Sequence, residues 1–168
     1  PPTWAPGDHA YYPAVNSRPL VSLSLALNYY AGGLSVVGYH LFNLGVHLIS
    51  ALVLFATLRQ LFSCKREWRP AGVSVDGLAL GSALVWVVHP LHSQCINYLI
   101  QRSELLVGLF YLLTLYFALL RMRTGAGRWS AAAVCACAAG MGSKEVMVTA
   151  PLVVLAFHRT LVAPTVRR

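Results

Sequence analysis

The residues best placed to do chemistry stand at the edges of apolar runs. Arg102 and Glu104 precede the run that begins at Leu105, and Lys144 and Glu145 sit together between two further runs. An arginine in a cleft at a membrane surface is suited to gripping phosphate with its planar fork, and Glu104 could orient it or neutralise it. Lys144 with Glu145 reads either as a second phosphate contact or as an interfacial ion pair. His89 and His92 flank Pro90-Leu91. Zinc takes three or four ligands and no further His or Cys stands nearby, so the pair is either a weak metal signal or a Pro90 turn with both imidazoles hydrogen-bonded. His40, Asn43, His47, Ser50 and Thr57 advance in steps of 3, 4, 3 and 7, which puts all five on one helical stripe. Such a stripe faces protein or water, as helix–helix hydrogen bonding or as the wall of a cavity.

The elements that must position these residues are membrane elements. Across 168 residues, 57% hydrophobic and 11% charged side chains with a mean hydropathy of +0.62 are wrong for a soluble domain. The net charge of +8 does not indicate nucleic acid, because the cations fall between long apolar runs instead of forming one basic face. Cys64, Cys95, Cys135 and Cys137 have no metal spacing and read as small packing residues. No strand-to-helix nucleophile elbow is present, so serine and cysteine hydrolases are set aside.

Five apolar stretches are expected to cross a bilayer, over residues 37–58, 77–89, 105–120, 129–141 and 146–157. Alternation then places ten Lys and Arg on one side, including Arg59, Arg121, Arg123 and Arg159, against three on the other, Arg18, Arg102 and Lys144. Merging the last two stretches would give seven against five with Lys144 inside the bilayer, at a cost of about 3 kcal/mol. The five-span arrangement obeys the positive-inside rule better, with the Arg18, Pro90 and Lys144 segments outside. The second and fourth stretches, about 20 Å as helices, end below the outer surface and leave their polar turns in a recessed depression. Residues 18–30, with Leu20, Leu23, Leu27 and Tyr30 at helical spacing, are too short to span and read as an interfacial helix. The organisation expected is therefore all-α: an outer loop with interfacial helix over 1–36, a transmembrane bundle over 37–161 and a basic cytoplasmic tail over 162–168. The first residue is Pro1 in a loop-like stretch, so a longer protein with a preceding span or leader is expected.

Several short motifs carry a family resemblance. They are Arg18-Pro19-Leu20 with Leu23-Ser24 and Leu27-Asn28-Tyr29, and Gly38-Tyr39-His40 with Asn43 and His47. His89-Pro90-Leu91-His92, Gln101-Arg102-Ser103-Glu104-Leu105-Leu106 and Ser143-Lys144-Glu145 complete the set. From about Arg18 to Leu161 the chain resembles the multi-pass portion of bacterial tetratricopeptide-repeat membrane proteins, related to the transmembrane and tetratricopeptide-repeat O-mannosyltransferases. The resemblance implies a C-type glycosyltransferase fold, a polyprenyl-phosphate sugar as donor, and a protein or glycan acceptor arriving from the periplasmic or lumenal face. Helical repeats would follow in the full-length protein.

The implied donor-phosphate contacts are Arg102 and Lys144, with Arg18, His40, His89, His92, Glu104 and Glu145 lining the cavity. No metal site is assigned, and participation of a divalent ion stays open. In such families an acidic residue of the first outer loop is the base. The only carboxylate there is Asp8 in Gly7-Asp8-His9, which lacks the expected paired-acid motif, so the base is expected upstream of Pro1. Gln94 also departs from relatives that carry Glu after the second His. The lipid tail would need a groove, for which Phe110, Tyr111, Tyr116 and Phe117 are candidates; ordinary packing and interface anchoring is the alternative. A bacterial inner membrane is expected, with the endoplasmic reticulum as the alternative. Competing functions are a non-catalytic membrane scaffold and a transporter fragment.

Overall fold

The computed structural model describes residues 18–64, 68, 70–92, 94 and 98–161. Asp8, Cys95, Lys65, Arg66, Arg69 and the tail 162–168 lie outside the described residues. Every regular element among the described residues is helical. The α-helices are α1 (Pro19–Gly32), α2 (Val36–Cys64), α3 (Val75–Val87), α4 (Arg102–Thr124), α5 (Gly127–Met141) and α6 (Ala150–Leu161). Single 3-10 turns, Leu99–Gln101 and Glu145–Thr149, lead into α4 and α6.

Local chemistry sets these boundaries. Pro19 opens α1, where its missing N–H costs nothing, and Gly33 at φ +60° ends it. Ser74 caps α3 by accepting from Gly77 N at 3.0 Å, with Asp76 in the positively polarised first turn. Gly125 at φ +69° closes α4, its N–H donating to Arg121 O at 3.0 Å.

Among the described residues, two helices are long and apolar enough to cross a membrane, α2 and α4. At 13, 15 and 12 residues, α3, α5 and α6 fall short of the about 20 that a crossing needs. The bundle therefore has two helices of spanning length and three short ones where five spans were expected. The short helices begin and end within about four residues of the expected stretches 77–89, 129–141 and 146–157, which at 13, 13 and 12 residues are equally short. Leu41, Leu44, Leu48 and Leu52 of α2 stay exposed, a surface that suits lipid and not water. The chain is membrane-associated.

α4 is the central helix, packing on α2, α5 and α6. Val46, Leu105 and Leu106 form one buried cluster with Val21 and Phe42 against it; Val107, Met147 and Ala150 form another. At Gly140 an added Cβ would lie 2.6 Å from Met147 Sδ, so the bare glycine is what lets the 3-10 turn close on α5. Arg59 grips Asp76 through Nε at 2.6 Å, joining the end of α2 to the start of α3. Arg123 bonds Gln60, so α2 and α4 run in the same direction. One end of the bundle thus holds Arg18, Glu104 and Lys144, and the other holds Arg59, Arg121, Arg123 and Arg128.

Candidate functional site

The first turn of α4 is where distant segments meet. The Leu20 N–H donates to Gly142 O at 3.2 Å, fastening the start of α1 to the turn after α5. That contact brings two cations onto neighbouring residues of α4. Arg18 Nη1 donates to Ser103 Oγ at 3.4 Å, and Lys144 Nζ donates to the Glu104 carboxylate. The Lys144 side chain keeps 24% of its surface and Glu104 keeps 38%, so a solute can reach both. Glu145 is exposed beside them, and Ser143 is buried with its hydroxyl on Ala139 O. Lys144 therefore pairs across the bundle with Glu104 and not with its sequence neighbour, a partner that spacing could not show.

Arg102 departs from its expected role. It has no exposed surface, and its guanidinium is spent on neutral oxygens. Nε donates to Asn43 Oδ1 at 3.0 Å, Nη1 to Asn28 Oδ1 at 2.6 Å and Ser24 Oγ at 3.5 Å, and Nη2 to Tyr39 O at 3.3 Å. The Phe42 ring covers it, 4.4 Å from centroid to Cζ. In this arrangement Arg102 cannot touch a donor phosphate. Burial of a cation demands that its donors be satisfied, and α1 and α2 supply the acceptors. Arg102 instead welds α1 to α2 and α4, and so holds Arg18 over Ser103.

The polar stripe of α2 resolves towards protein. Asn43, His47, Ser50 and Thr57 are all buried, while His40 is half-buried at the start of the helix. His47 Nε2 lies 3.0 Å from Val87 O and so donates to it, which leaves Nδ1 buried with no hydrogen-bond partner among the described residues. Its ring stacks on Trp86 at 5.0 Å and approaches His92 at 5.1 Å, with His92 4.4 Å from Trp86. His89 Nδ1 accepts from Leu91 N at 3.3 Å, the turn-capping use of a histidine beside Pro90. Burial, and then the neighbouring His47 and His89, hold the His92 imidazole below its ordinary pKa. Among the described residues no group of three His, Cys, Asp or Glu converges as a metal would need. This aromatic group is built on α2, α3 and the Pro90 turn, whereas the cations are carried by α1, α4 and the turn after α5.

A cleft of about 340 Å³ runs between α4, α5 and α6, lined by Thr114, Ala118, Ala133, Cys137, Met141 and Pro151 among others. Small side chains on α4 and α5 leave it open, and its Met141 and Pro151 end adjoins the Lys144 turn in sequence. The aromatic residues expected to form a groove lie elsewhere. Phe110 and Tyr111 pack on the buried clusters, and Phe117 stacks on Trp129 at 5.9 Å with Tyr116 beside it. Their packing alternative is the one the structure supports.

No family model matches the chain. No solved structure matches it. Among curated proteins it is 34% identical over 96 residues to protein O-mannosyl-transferase Tmtc1 of Drosophila melanogaster. This stretch is similar to protein O-mannosyl-transferases. The human protein O-mannosyl-transferase TMTC4 is 36% identical over 105 residues, and tmtc2 of Xenopus laevis is 34% identical over 110. The matched parts cover 57%, 58% and 65% of this chain, but 10%, 14% and 11% of those relatives. The similarity supports kinship with the transmembrane and tetratricopeptide-repeat O-mannosyltransferases. The three relatives named are animal proteins, and none speaks for a bacterial membrane.

Sequence reading missed the partners more than the players. Ser24 and Asn28 lie one turn apart on α1, a polar pair on one face of a largely apolar helix, and that was the available signal for the Arg102 cradle. Ser103 stood in a resemblance motif without a role of its own, and Trp86 carried no pattern that singled it out.

Proposed function

We propose that this chain is the donor-side membrane portion of a glycosyltransferase that moves a sugar from a polyprenyl phosphate to a protein or glycan acceptor at the periplasmic or lumenal face. The observation that carries the reading is the meeting of Arg18 and Lys144 on one turn of α4, with Lys144 open to solutes; an apolar cleft whose lining includes Met141, three residues before Lys144, could take a prenyl chain. In the transfer, the bond between the sugar anomeric carbon and the phosphate oxygen breaks and a bond to the acceptor oxygen forms. The leaving polyprenyl phosphate gains negative charge, and cations fixed in a low-dielectric depression stabilise it better than water does. Arg18 and Lys144 are assigned that task. Arg102, expected as a phosphate contact, becomes a positioning residue. Glu104 holds Lys144 in place until a phosphate competes for it. The acceptor proton goes to a base on another part of the full-length protein.

The test is transfer from a polyprenyl-phosphate mannose by the full-length protein in membranes. Arg18→Gln and Lys144→Gln should each lower turnover by about 10²-fold at equal expression, the size of effect seen when one stabilising donor is removed. Undiminished turnover in both variants would overturn the assignment. A scaffold reading is favoured by one observation, the Lys144–Glu104 ion pair, which also ties the turn after α5 to α4. Being non-catalytic, it expects such variants to change stability and not any transfer activity. The transporter reading loses its support, since the α2 stripe that would form its pathway is buried in protein.

A further inference from the structure

The opposite end of the bundle carries a cationic surface that the proposed reaction does not use. Arg121 and Arg123 close the last turn of α4, and Arg128 opens α5 only two residues past the Gly125-Ala126 elbow. All three are exposed. Their partners are neutral: Arg121 Nε donates to Ser130 Oγ at 3.1 Å and its Nη1 to Gly125 O, Arg123 donates to Gln60, and Arg128 lies over the Trp129 ring at 5.0 Å. Asp76 is the one carboxylate at this end among the described residues, and Arg59 already holds it through both oxygens. Three exposed guanidinium groups thus stand at or next to one elbow, Arg121 turned towards α5 and Arg123 towards α2, and none of them pairs with a carboxylate among the described residues.

The elbow has further features that favour an anion. Ala126 offers α5 no side-chain cap; the Trp129 N–H turns back onto Ala126 O at 3.2 Å, and the two N–H groups before it open here. Trp129, stacked on Phe117, puts an aromatic ring of a type enriched at headgroup depth at the elbow, with its Nε1 buried and without a hydrogen-bond partner among the described residues. α4 is one of the two helices of spanning length, so its end is where a bilayer surface would fall.

We propose that this elbow is a binding site for the headgroup of an acidic phospholipid, with Arg121, Arg123 and Arg128 as its phosphate contacts. A phosphodiester accepts the paired donors of a guanidinium, and an anionic leaflet adds an attraction that a neutral one lacks. The occupant is a lipid and not a free anion, because the ring and the helix end place the cations where headgroups lie. The site requires a membrane but not the transfer reaction, so it stands or falls separately from that reading.

Native mass spectrometry of the chain in mixed phosphatidylglycerol and phosphatidylcholine micelles tests it. Phosphatidylglycerol should be retained preferentially, and the preference should fall about five-fold for each arginine changed to glutamine. Arg121→Gln also removes a bond across the elbow, so Arg123→Gln/Arg128→Gln is the second variant, and replacing all three by lysine should keep most of the preference. Equal retention of both lipids, an unchanged preference in the glutamine variants, or displacement by millimolar inorganic phosphate would each overturn the proposal.

Discussion

The two ends of the bundle use the same residue types in opposite ways. At the α1–α4 end, Arg102 is sealed from solvent by Asn28, Asn43, Ser24 and Tyr39, and Lys144 is held by Glu104. At the α4–α5 elbow, Arg121, Arg123 and Arg128 stay exposed on neutral partners. The lesson is that the role of a cation here follows from how many acceptors the surrounding helices deliver. Where acceptors surround it, the charge becomes structure. Where they are few, it remains available to something from outside.

That contrast can be broken most forcefully at Arg102. Arg102→Ala removes the donor that Asn28 Oδ1 and Asn43 Oδ1 share and leaves a buried cavity among α1, α2 and α4, and should cost about 3 kcal/mol or more. The same change at Arg123 should cost under about 1 kcal/mol. Thermal melts of both variants in detergent compare the two ends directly, and equal losses would erase the distinction. Arg102→Lys should rescue only in part, because an ammonium cannot reproduce the planar fork.

A smaller effect is expected at Gly140→Ala, where the new methyl meets the buried Met147. Overpacking should cost about 1–3 kcal/mol, and Met147→Ala in the same chain should recover part of it; a melt that does not move would show that the 3-10 turn is not closed on α5 as described. The smallest is a pH effect at the Pro90 turn. The His92 imidazole is held below its ordinary pKa, so the folded state resists a proton that the unfolded chain accepts. Its contribution is intact above the unfolded value of about 6.5 and is lost as pH falls through the lowered folded value. Trp86 fluorescence followed down that range should change in the wild type and stay flat in His92→Phe.

Much of the framework was legible because apolar runs and their punctuation are local. Pro19 and Gly33 mark α1, and Ser74 and Gly125 mark the start of α3 and the end of α4. The clustering of Lys and Arg between runs foretold which ends would be basic. What local hydropathy left open is how many runs cross the bilayer, since a run of 12 or 13 residues falls short of the about 20 that a crossing helix needs and need not form one continuous helix. Residues 146–157 show this: their first part is a 3-10 turn pulled onto α5 by Met147 at Gly140, and only the remainder is α-helix.

By itself the sequence determined an all-helical, membrane-associated chain with most of its charged residues at helix ends and in the turns between them, because hydropathy and helix-ending residues act within a few positions along the backbone. Tertiary structure alone decided that Arg102 is buried and Lys144 reachable, that Glu104 pairs with Lys144, and that the cleft lies against α5 and α6. Those outcomes rest on acceptors and side-chain volumes supplied by helices tens of residues away, which no spacing along one segment can encode.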